Sequence, residues 1–250
     1  MTDARLITGD ARVVLADLPA ESVDCVIADP PYGETSLTWD RWPDGWPTAV
    51  LRVLKPTGSM WVFGSLRMFL RHRDEFDGWA HRQEIVWEKH NGSNAAADRF
   101  RRVHELVVQY VRADQPASQV YTKPVFSLDS TARTVRRKQR PAHWGEIGAH
   151  HYVSEDGGPR LMRSVIYCRS EHGRAIHPTQ KPVDLVGLLI EHSCPPSGTV
   201  LSPFGGSGTD AIAAQRAGCR SILVETDPFY VAAAERRLAG VTLGLPLGAA

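Results

Sequence analysis

Asp29-Pro30-Pro31-Tyr32 sets a carboxylate, two rigid residues and an aromatic ring side by side. Proline has no backbone N–H and a fixed φ, so the Asp29 carboxylate and the carbonyls of Asp29 and Pro30 are held outward as an acceptor cluster beside a ring. Such a cluster suits a planar amine. A plainer reading stands next to it, because Pro-Pro after a strand is also a sharp exit from a sheet. A second site of possible chemistry is Gly205-Gly206-Ser207-Gly208-Thr209. Glycines there let the backbone approach a ligand closely, and N–H groups at the start of a following helix favour an electronegative or anionic group. Glu225 closes the next apolar run, Ser221 to Val224. A nucleotide-binding fold places at that point the acid that grips ribose hydroxyls.

These residues need elements to carry them. Val23 to Ala28 reads as a buried strand of the parallel type, which delivers Asp29 to the edge where ligands bind in open α/β sheets. Thr199 to Phe204 reads as another strand, and Asp210 to Ala217 as the helix after the glycines. Arg5 to Thr8 is a strand candidate ending at Gly9-Asp10, with Val13 to Leu18 helical. Gly33 to Pro43 reads as a loop over the site, whose Trp39 and Trp42 either line a pocket or pack the loop down. The spacing of Trp46, Val50, Val53 and Leu54 predicts a helix stopped by Pro56. A central strand over Gly58 to Gly64 and a helix over Ser65 to Arg73 come next. Gln83 to Glu88 and Val103 to Val111 read as an antiparallel pair at the end of the sheet, and His104-Glu105 within it reads as structural. Val183, Val186, Gly187 and Ile190 fall on one helical face. Asp227-Pro228 is a cap followed by proline at the first helical position.

A chain of 250 residues, 42% hydrophobic, fits one large α/β domain with an insertion. Its net charge of +1 means that any basic surface is local. Between Arg99 and Arg140 stand ten Lys or Arg against three acids, with Arg133, Arg136, Arg137, Lys138 and Arg140 inside eight residues. A charge run of this kind is a solvated face or a contact for a nucleic-acid backbone. Tyr121, His143, Trp144, His150, His151 and Tyr152 interleave it, and those histidines lack the spacing of a metal site. The four cysteines, Cys25, Cys168, Cys194 and Cys219, are scattered, without disulfide or zinc spacing, which suits a reducing compartment. Neither a basic-then-apolar leader nor a run of membrane-spanning length is present, so the expected location is the cytoplasm.

Taken together, Asp29-Pro30-Pro31-Tyr32, His177-Pro178-Thr179-Gln180-Lys181-Pro182, Ser202-Pro203-Phe204-Gly205-Gly206-Ser207-Gly208-Thr209 and Glu225 resemble the DNA amino-methyltransferases that use S-adenosylmethionine. The likeness is to the beta-class, permuted group, in which the catalytic tetrapeptide precedes the cofactor motif, and it runs from Gly9-Asp10 to about Leu238. It implies a Rossmann-like α/β methyltransferase fold: a mainly parallel sheet with an antiparallel hairpin, circularly permuted motif order and an inserted target-recognition segment. The implied division is residues 1–112 for the catalytic half, 113–172 for the insertion, 173–240 for the cofactor half and 241–250 for a fraying tail.

The resemblance also assigns roles. Asp29, Pro30, Pro31 and Tyr32 are implied as catalytic. Asp10, Ala11, Asp29, Thr179, Lys181, Phe204, Gly205, Gly206, Ser207, Gly208, Thr209, Glu225 and Thr226 are implied at S-adenosylmethionine, although Asp10 is equally placed to cap the helix after it. Arg133, Arg136, Arg137, Lys138 and Arg140 are expected on DNA, and no metal is implied. The expected reaction is methylation of adenine N6 on a flipped-out base of double-stranded DNA. Asp rather than Ser at the first position of the tetrapeptide leans that way. Cytosine N4 is the nearest rival, followed by RNA or a protein amide, and a non-enzymatic DNA-binding scaffold is the alternative from another class. A homodimer or higher homo-oligomer is expected, so that a small chain covers enough DNA.

Overall fold

Strand β1 (Ala4–Thr8) leads to Asp10, whose carboxylate accepts a hydrogen bond from Arg12 N and caps helix α1 (Ala11–Asp17). Strand β2 (Val23–Ala28) is buried at every position. Helix α2 (Trp46–Val53) has proline in its first turn and passes directly into strand β3 (Leu54–Gly64). Ser65 caps the short helix α3 (Leu66–Arg71) by accepting from Met68 N. The long strands β4 (Trp79–Ser93) and β5 (Arg102–Arg112) follow. Next come β6 (Phe126–Ser127), β7 (Arg133–Arg137), β8 (His150–Ser154), β9 (Arg160–Leu161) and β10 (Val165–Tyr167). The chain returns to α/β alternation with α4 (Val183–Ser193), β11 (Thr199–Ser202), α5 (Thr209–Arg216), β12 (Arg220–Glu225) and α6 (Pro228–Ala239). The computed structural model describes residues 3–93, 98–137, 150–171, 173 and 175–240.

One eight-stranded sheet runs in the order β1-β12-β11-β2-β3-β5-β4-β10. From β1 to β3 every pairing is parallel, β5 is antiparallel to both β3 and β4, and β10 lies parallel to β4. Strands β2 and β11 are neighbours although far apart in sequence, with Cys25 opposite Val200. That pairing brings the early tetrapeptide and the late glycine turn together, and parallel direction puts the residues after β2, β11 and β12 at the same sheet edge.

Strand alternation feeds two cores. Val26 and Ala28 of β2 with Met60 and Val62 of β3 pack under α1 and α2, around the fully buried Leu15, Trp46, Val50 and Val53. Cys25, Ile27, Trp61 and Phe63 face the other way, against Leu185, Leu189 and Ile190 of α4 and Ala213 of α5. Burying each such large apolar side chain contributes about 1.5–3 kcal/mol. Trp61 keeps its polar atom satisfied by donating from Nε1 to Ser193 Oγ at 2.7 Å.

Several boundaries differ from the expectation. The helix meant to run to Pro56 stops at Val53, and Leu54 already pairs with Val23 before the register shifts to Cys25–Ser59. That shift fits Gly58, where a Cβ would come within 2.7 Å of Asp24 O. The helix expected over Ser65 to Arg73 is α3 plus a separate 3₁₀ turn at Arg73–Phe76. The β4–β5 hairpin is not the end of the sheet, since β10 adds an outer strand.

The chain forms two compact units, Met1–Lys123 with Ser164–Ala250, and Pro124–Arg163. The smaller unit is narrower than the expected 113–172. Tyr121 N donates to Thr57 O and Lys123 N to His192 O, while β10 belongs to the main sheet, so both flanks of the segment are part of the larger unit. Within the smaller unit β6 pairs with β9 and β7 with β8, both antiparallel. The expected tail, 241–250, lies outside the described residues, as do His143 and Trp144. No described helix is long and apolar enough to cross a membrane.

Candidate active site

Asp29 is carried on the rigid end of β2 and meets Lys181, which comes from the turn before α4. Lys181 Nζ donates to Asp29 Oδ2 at 2.5 Å and lies 3.3 Å from Glu105 Oε1. Lys89 Nζ donates to the other Glu105 oxygen at 2.5 Å. The four charges therefore alternate, Asp29, Lys181, Glu105, Lys89, and Lys181 and Glu105 are buried. Lys181 is also seated over the Phe63 ring at 5.1 Å, and Lys89 over Trp87 at 4.4 Å.

Burial alone would push Glu105 up, but Lys181 and Lys89 outweigh it and hold the carboxyl down at about 2. Burial would likewise lower Lys181, and the carboxylates of Asp29 and Glu105 reverse this and hold it up. Asp29 goes the other way: burial raises it, Lys181 opposes, and the Glu105 charge adds to the rise. Tyr32 joins the two acids, with Oη 2.8 Å from Asp29 Oδ1 and 2.6 Å from Glu105 Oε1. One hydroxyl hydrogen cannot serve both. Glu105 is held ionised at the shorter of the two contacts, so when the hydroxyl hydrogen goes to Glu105, Asp29 Oδ1 is left without it.

The glycine turn lies on the same cleft. Gly206 N donates to Glu225 Oε2 at 2.8 Å, and Glu225 Oε1 accepts from Asp227 N at 3.0 Å. These bonds fix the Glu225 carboxylate while leaving acceptor sites on it. Gly208 starts α5 at φ +83°, and a Cβ there would meet Ala234 Cβ at 2.6 Å, so only glycine lets α5 close on α6. Arg237 of α6 donates to Ser207 O at 2.6 Å, and Ser207 Oγ donates to Gln180 Oε1 at 2.7 Å. Asp210 is buried on this wall and accepts from Ser202 Oγ at 2.5 Å. Burial, opposed by that bond and reinforced by Asp29, pushes it up to about 7.

The resulting cleft has a volume of about 590 Å³ and joins both halves. Asp29, Pro30, Pro31, Tyr32, Thr179, Lys181, Phe204, Gly205, Gly206, Ser207, Thr209, Glu225 and Thr226 all line it. Gly208 does its work behind the wall. Asp10 and Ala11 are not among the lining residues, and the Asp10 carboxylate is engaged by Arg12, at 2.6 Å from Nη2, as well as by the cap. Trp39 lines the mouth and contacts His177, ring centres 5.5 Å apart, whereas Trp42 stacks on His72 at 4.1 Å and packs the loop down. Asp40 closes that loop by accepting from the backbone N–H of Gly33, Glu34 and Thr35. Glu105, Lys89, Trp87, Asp210 and Tyr230 were missing from the sequence-derived site. Of these only Glu105 has a sequence signal, the His104-Glu105 pair, whose expected role is structural. In the smaller unit Arg133 and Arg136 are exposed on β7, whose range includes Arg137, while Lys138 and Arg140 lie outside the described residues.

An open, mainly parallel sheet with a rigid Asp-Pro-Pro-Tyr at one strand end and a glycine turn and a fixed acid beside it has the layout of a nucleotide-handling enzyme. A profile of DNA methylases, the N6/N4 methyltransferase family, matches residues 23–236. The chain belongs to that family, and it is a DNA methyltransferase. It is 28% identical over 262 residues to the type II methyltransferase M.HinfI of Haemophilus influenzae, covering 93% of this chain and 67% of that protein. Its fold is that of solved methyltransferases. The M1.HpyAVI–SAM complex matches at 24% identity and TM-score 0.61, over 94% of this chain and all of that one (100%). The cytosine-N4-specific PvuII DNA methyltransferase matches at 17% identity and TM-score 0.64, over 99% and 89%.

Proposed function

We propose that the protein methylates adenine N6 on a base flipped out of double-stranded DNA, with S-adenosylmethionine as methyl donor. The observation that carries this reading is the continuity of one cleft from Asp29 to Glu225. Its size suits a nucleoside-sized ligand. The cofactor's needs are matched by residues present: a backbone turn with room for close approach at Gly205 and Gly206, a fixed acid at Glu225 for the ribose, and a carboxylate at Asp29 for a cation. When bound, S-adenosylmethionine supplies an activated methyl group on a positively charged sulfur.

An exocyclic amine is a poor nucleophile because its lone pair is delocalised into the ring. Asp29 and the Pro30 carbonyl accept its two hydrogens, turn the nitrogen toward tetrahedral geometry and aim the lone pair at the methyl. Positioning supplies much of the acceleration, and the ionised Asp29 stabilises the positive charge growing on nitrogen. Lys181 holds Asp29 in place through Oδ2, which leaves Oδ1 for the amine when the Tyr32 hydroxyl is taken by Glu105. Tyr32, tethered at its hydroxyl, offers its ring to the base. The base must leave the helix to reach this pocket.

The antiparallel ribbon β7–β8, with exposed Arg133 and Arg136, has the width of an element that enters a major groove, and its charge suits phosphates. It is the target-recognition part of this reading. The protein acts in the cytoplasm, where the DNA is.

The test is expression in a methylation-deficient bacterium, followed by sequencing of the genomic DNA with single-base detection of N6-methyladenine and N4-methylcytosine. Methyladenine in one short motif, absent with Asp29→Asn, supports the reading. Methylcytosine in its place overturns the base assignment, and no mark in DNA overturns the substrate.

A further inference from the structure

Phe100 is 99% exposed, the highest value of any large apolar side chain described. Single exposed apolar residues are ordinary on protein surfaces, so exposure by itself says little. Its place is what matters. Phe100 stands two residues before β5 in the stretch Asp98-Arg99-Phe100-Arg101-Arg102. Arg101 lies against Gly92, where a Cβ would come within 2.6 Å of Arg101 Cγ, and its guanidinium donates to Gly92 O at 3.3 Å. Gly92 and Asn91 line the cleft. Arg102 pairs with Glu34, 3.5 Å away, in the loop that follows Tyr32. Arg101 thus ties the segment to a residue that lines the cleft and Arg102 ties it to the loop after Tyr32, with Phe100 next in the chain and bare to solvent.

Three arginines stand here against two acids, Asp98 on Arg99 at 2.9 Å and Glu34 on Arg102, so the described segment keeps one net positive charge, at Arg101. A bare aromatic ring next to Arg101 and beside a base-sized pocket fits one kind of partner, a duplex with a phosphate for that arginine and a stack that has just lost a base. Removing a base from the stack exposes the faces of its neighbours, and an aromatic side chain restores the lost stacking.

We propose that Phe100 is the wedge that enters the DNA stack as the target base leaves it, with Arg101 on a flanking phosphate. This rests on the cleft being the pocket for that base. Phe100 is a positioning residue, since it acts on the duplex and not on the reacting atoms.

The experiment compares wild type, Phe100→Ala and Phe100→Trp on duplex oligonucleotides carrying the motif that sequencing shows to be methylated. In one duplex the target base is paired, and in the other it faces an abasic site and is already free. Phe100→Ala is expected to lower kcat/KM roughly tenfold or more on the paired duplex, with the loss shrinking toward none on the abasic one. Phe100→Trp should keep most activity, and thermal stabilisation by S-adenosylmethionine should be the same in all three proteins. An equal loss on both duplexes, or no loss on the paired one, overturns the wedge while the function stands. A wild type inactive on both duplexes overturns the function and the wedge together.

Discussion

Lys181 Nζ sits 2.5 Å from Asp29 Oδ2 across 152 positions of sequence, and the pair joins the turn before α4 to the end of β2. A buried pair of this kind contributes little net stability, because desolvation offsets attraction, but it fixes where the carboxylate points. In a site whose chemistry is alignment of an amine, orientation is the quantity that counts.

Asp29→Asn keeps the shape of that side chain and removes its charge. The expected outcome is a loss of about 10²–10³ in kcat, the scale found for deleting one preorganised electrostatic partner of a transition state. Stabilisation by S-adenosylmethionine, about 2.7 kcal/mol at a hundredfold excess over Kd, should persist. Single-turnover methylation and thermal shift on the same preparation separate the two. Loss of both would make Asp29 chiefly a cofactor ligand.

Glu105→Gln removes the charge that raises Asp29 and binds both lysines. Methyl transfer needs Asp29 ionised, so the wild-type rate rises with pH through the elevated Asp29 value, and the acid limb should move to lower pH in the variant. A pH–rate profile of kcat/KM reads this directly. Stability has its own sign. Glu105 is depressed in the fold to about 2 from 4.5, so its contribution is present above 4.5 and is lost as pH falls toward 2. Breaking one partner of a buried pair costs about 3–5 kcal/mol, so Glu105→Gln should lower Tm at pH 7 and flatten the acid decline.

Asp210 shows the opposite linkage. Its folded value is raised to about 7 from 3.8, so in that window the native state binds the extra proton and stability falls as pH rises. Asp210→Asn is neutral at every pH and can still accept from Ser202 Oγ. Its Tm should exceed that of wild type by several degrees at pH 8 and match it near pH 4. Equal Tm differences at both pH values would show that Asp210 is not protonated in the fold.

Gly208→Ala places a Cβ 2.6 Å from Ala234 Cβ at a backbone of φ +83°. Strain at such a position is of order 1–3 kcal/mol. The variant should melt earlier and lose S-adenosylmethionine stabilisation, because α5 can no longer close on α6 and Ser207 parts from Arg237. Calorimetry with and without the cofactor measures both effects. A variant that melts earlier yet keeps full cofactor stabilisation would confine Gly208 to helix packing.

Much of this architecture could be read from local pattern. The run Val23 to Ala28, apolar but for Asp24, is the mark of a strand covered on both faces, and it is buried throughout. The strand-glycine-helix order after Thr199 and the cap-proline start at Asp227 also lie where their residue types place them. Boundaries were less legible. Leu54 fits a helix face as well as a strand, and only its pairing with Val23 decides between them. Strand β10 is three residues long, too short for any periodicity, and exists because the edge of β4 was open to it.

The sequence by itself determined the chemical inventory: the rigid Asp29-Pro30-Pro31-Tyr32 acceptor, the glycine turn, Glu225, and the order in which they occur. These are properties of residue type and short spacing, and local sterics act on them without reference to the rest of the chain. Only the tertiary structure decided that Glu105 and Lys89 complete the charge chain, that Asp10 turns to its own helix and Arg12, and that Phe100 stands bare at the cleft mouth. Each of those depends on which strands become neighbours, and Coulomb energy, desolvation and exposure act through distances that no stretch of sequence contains.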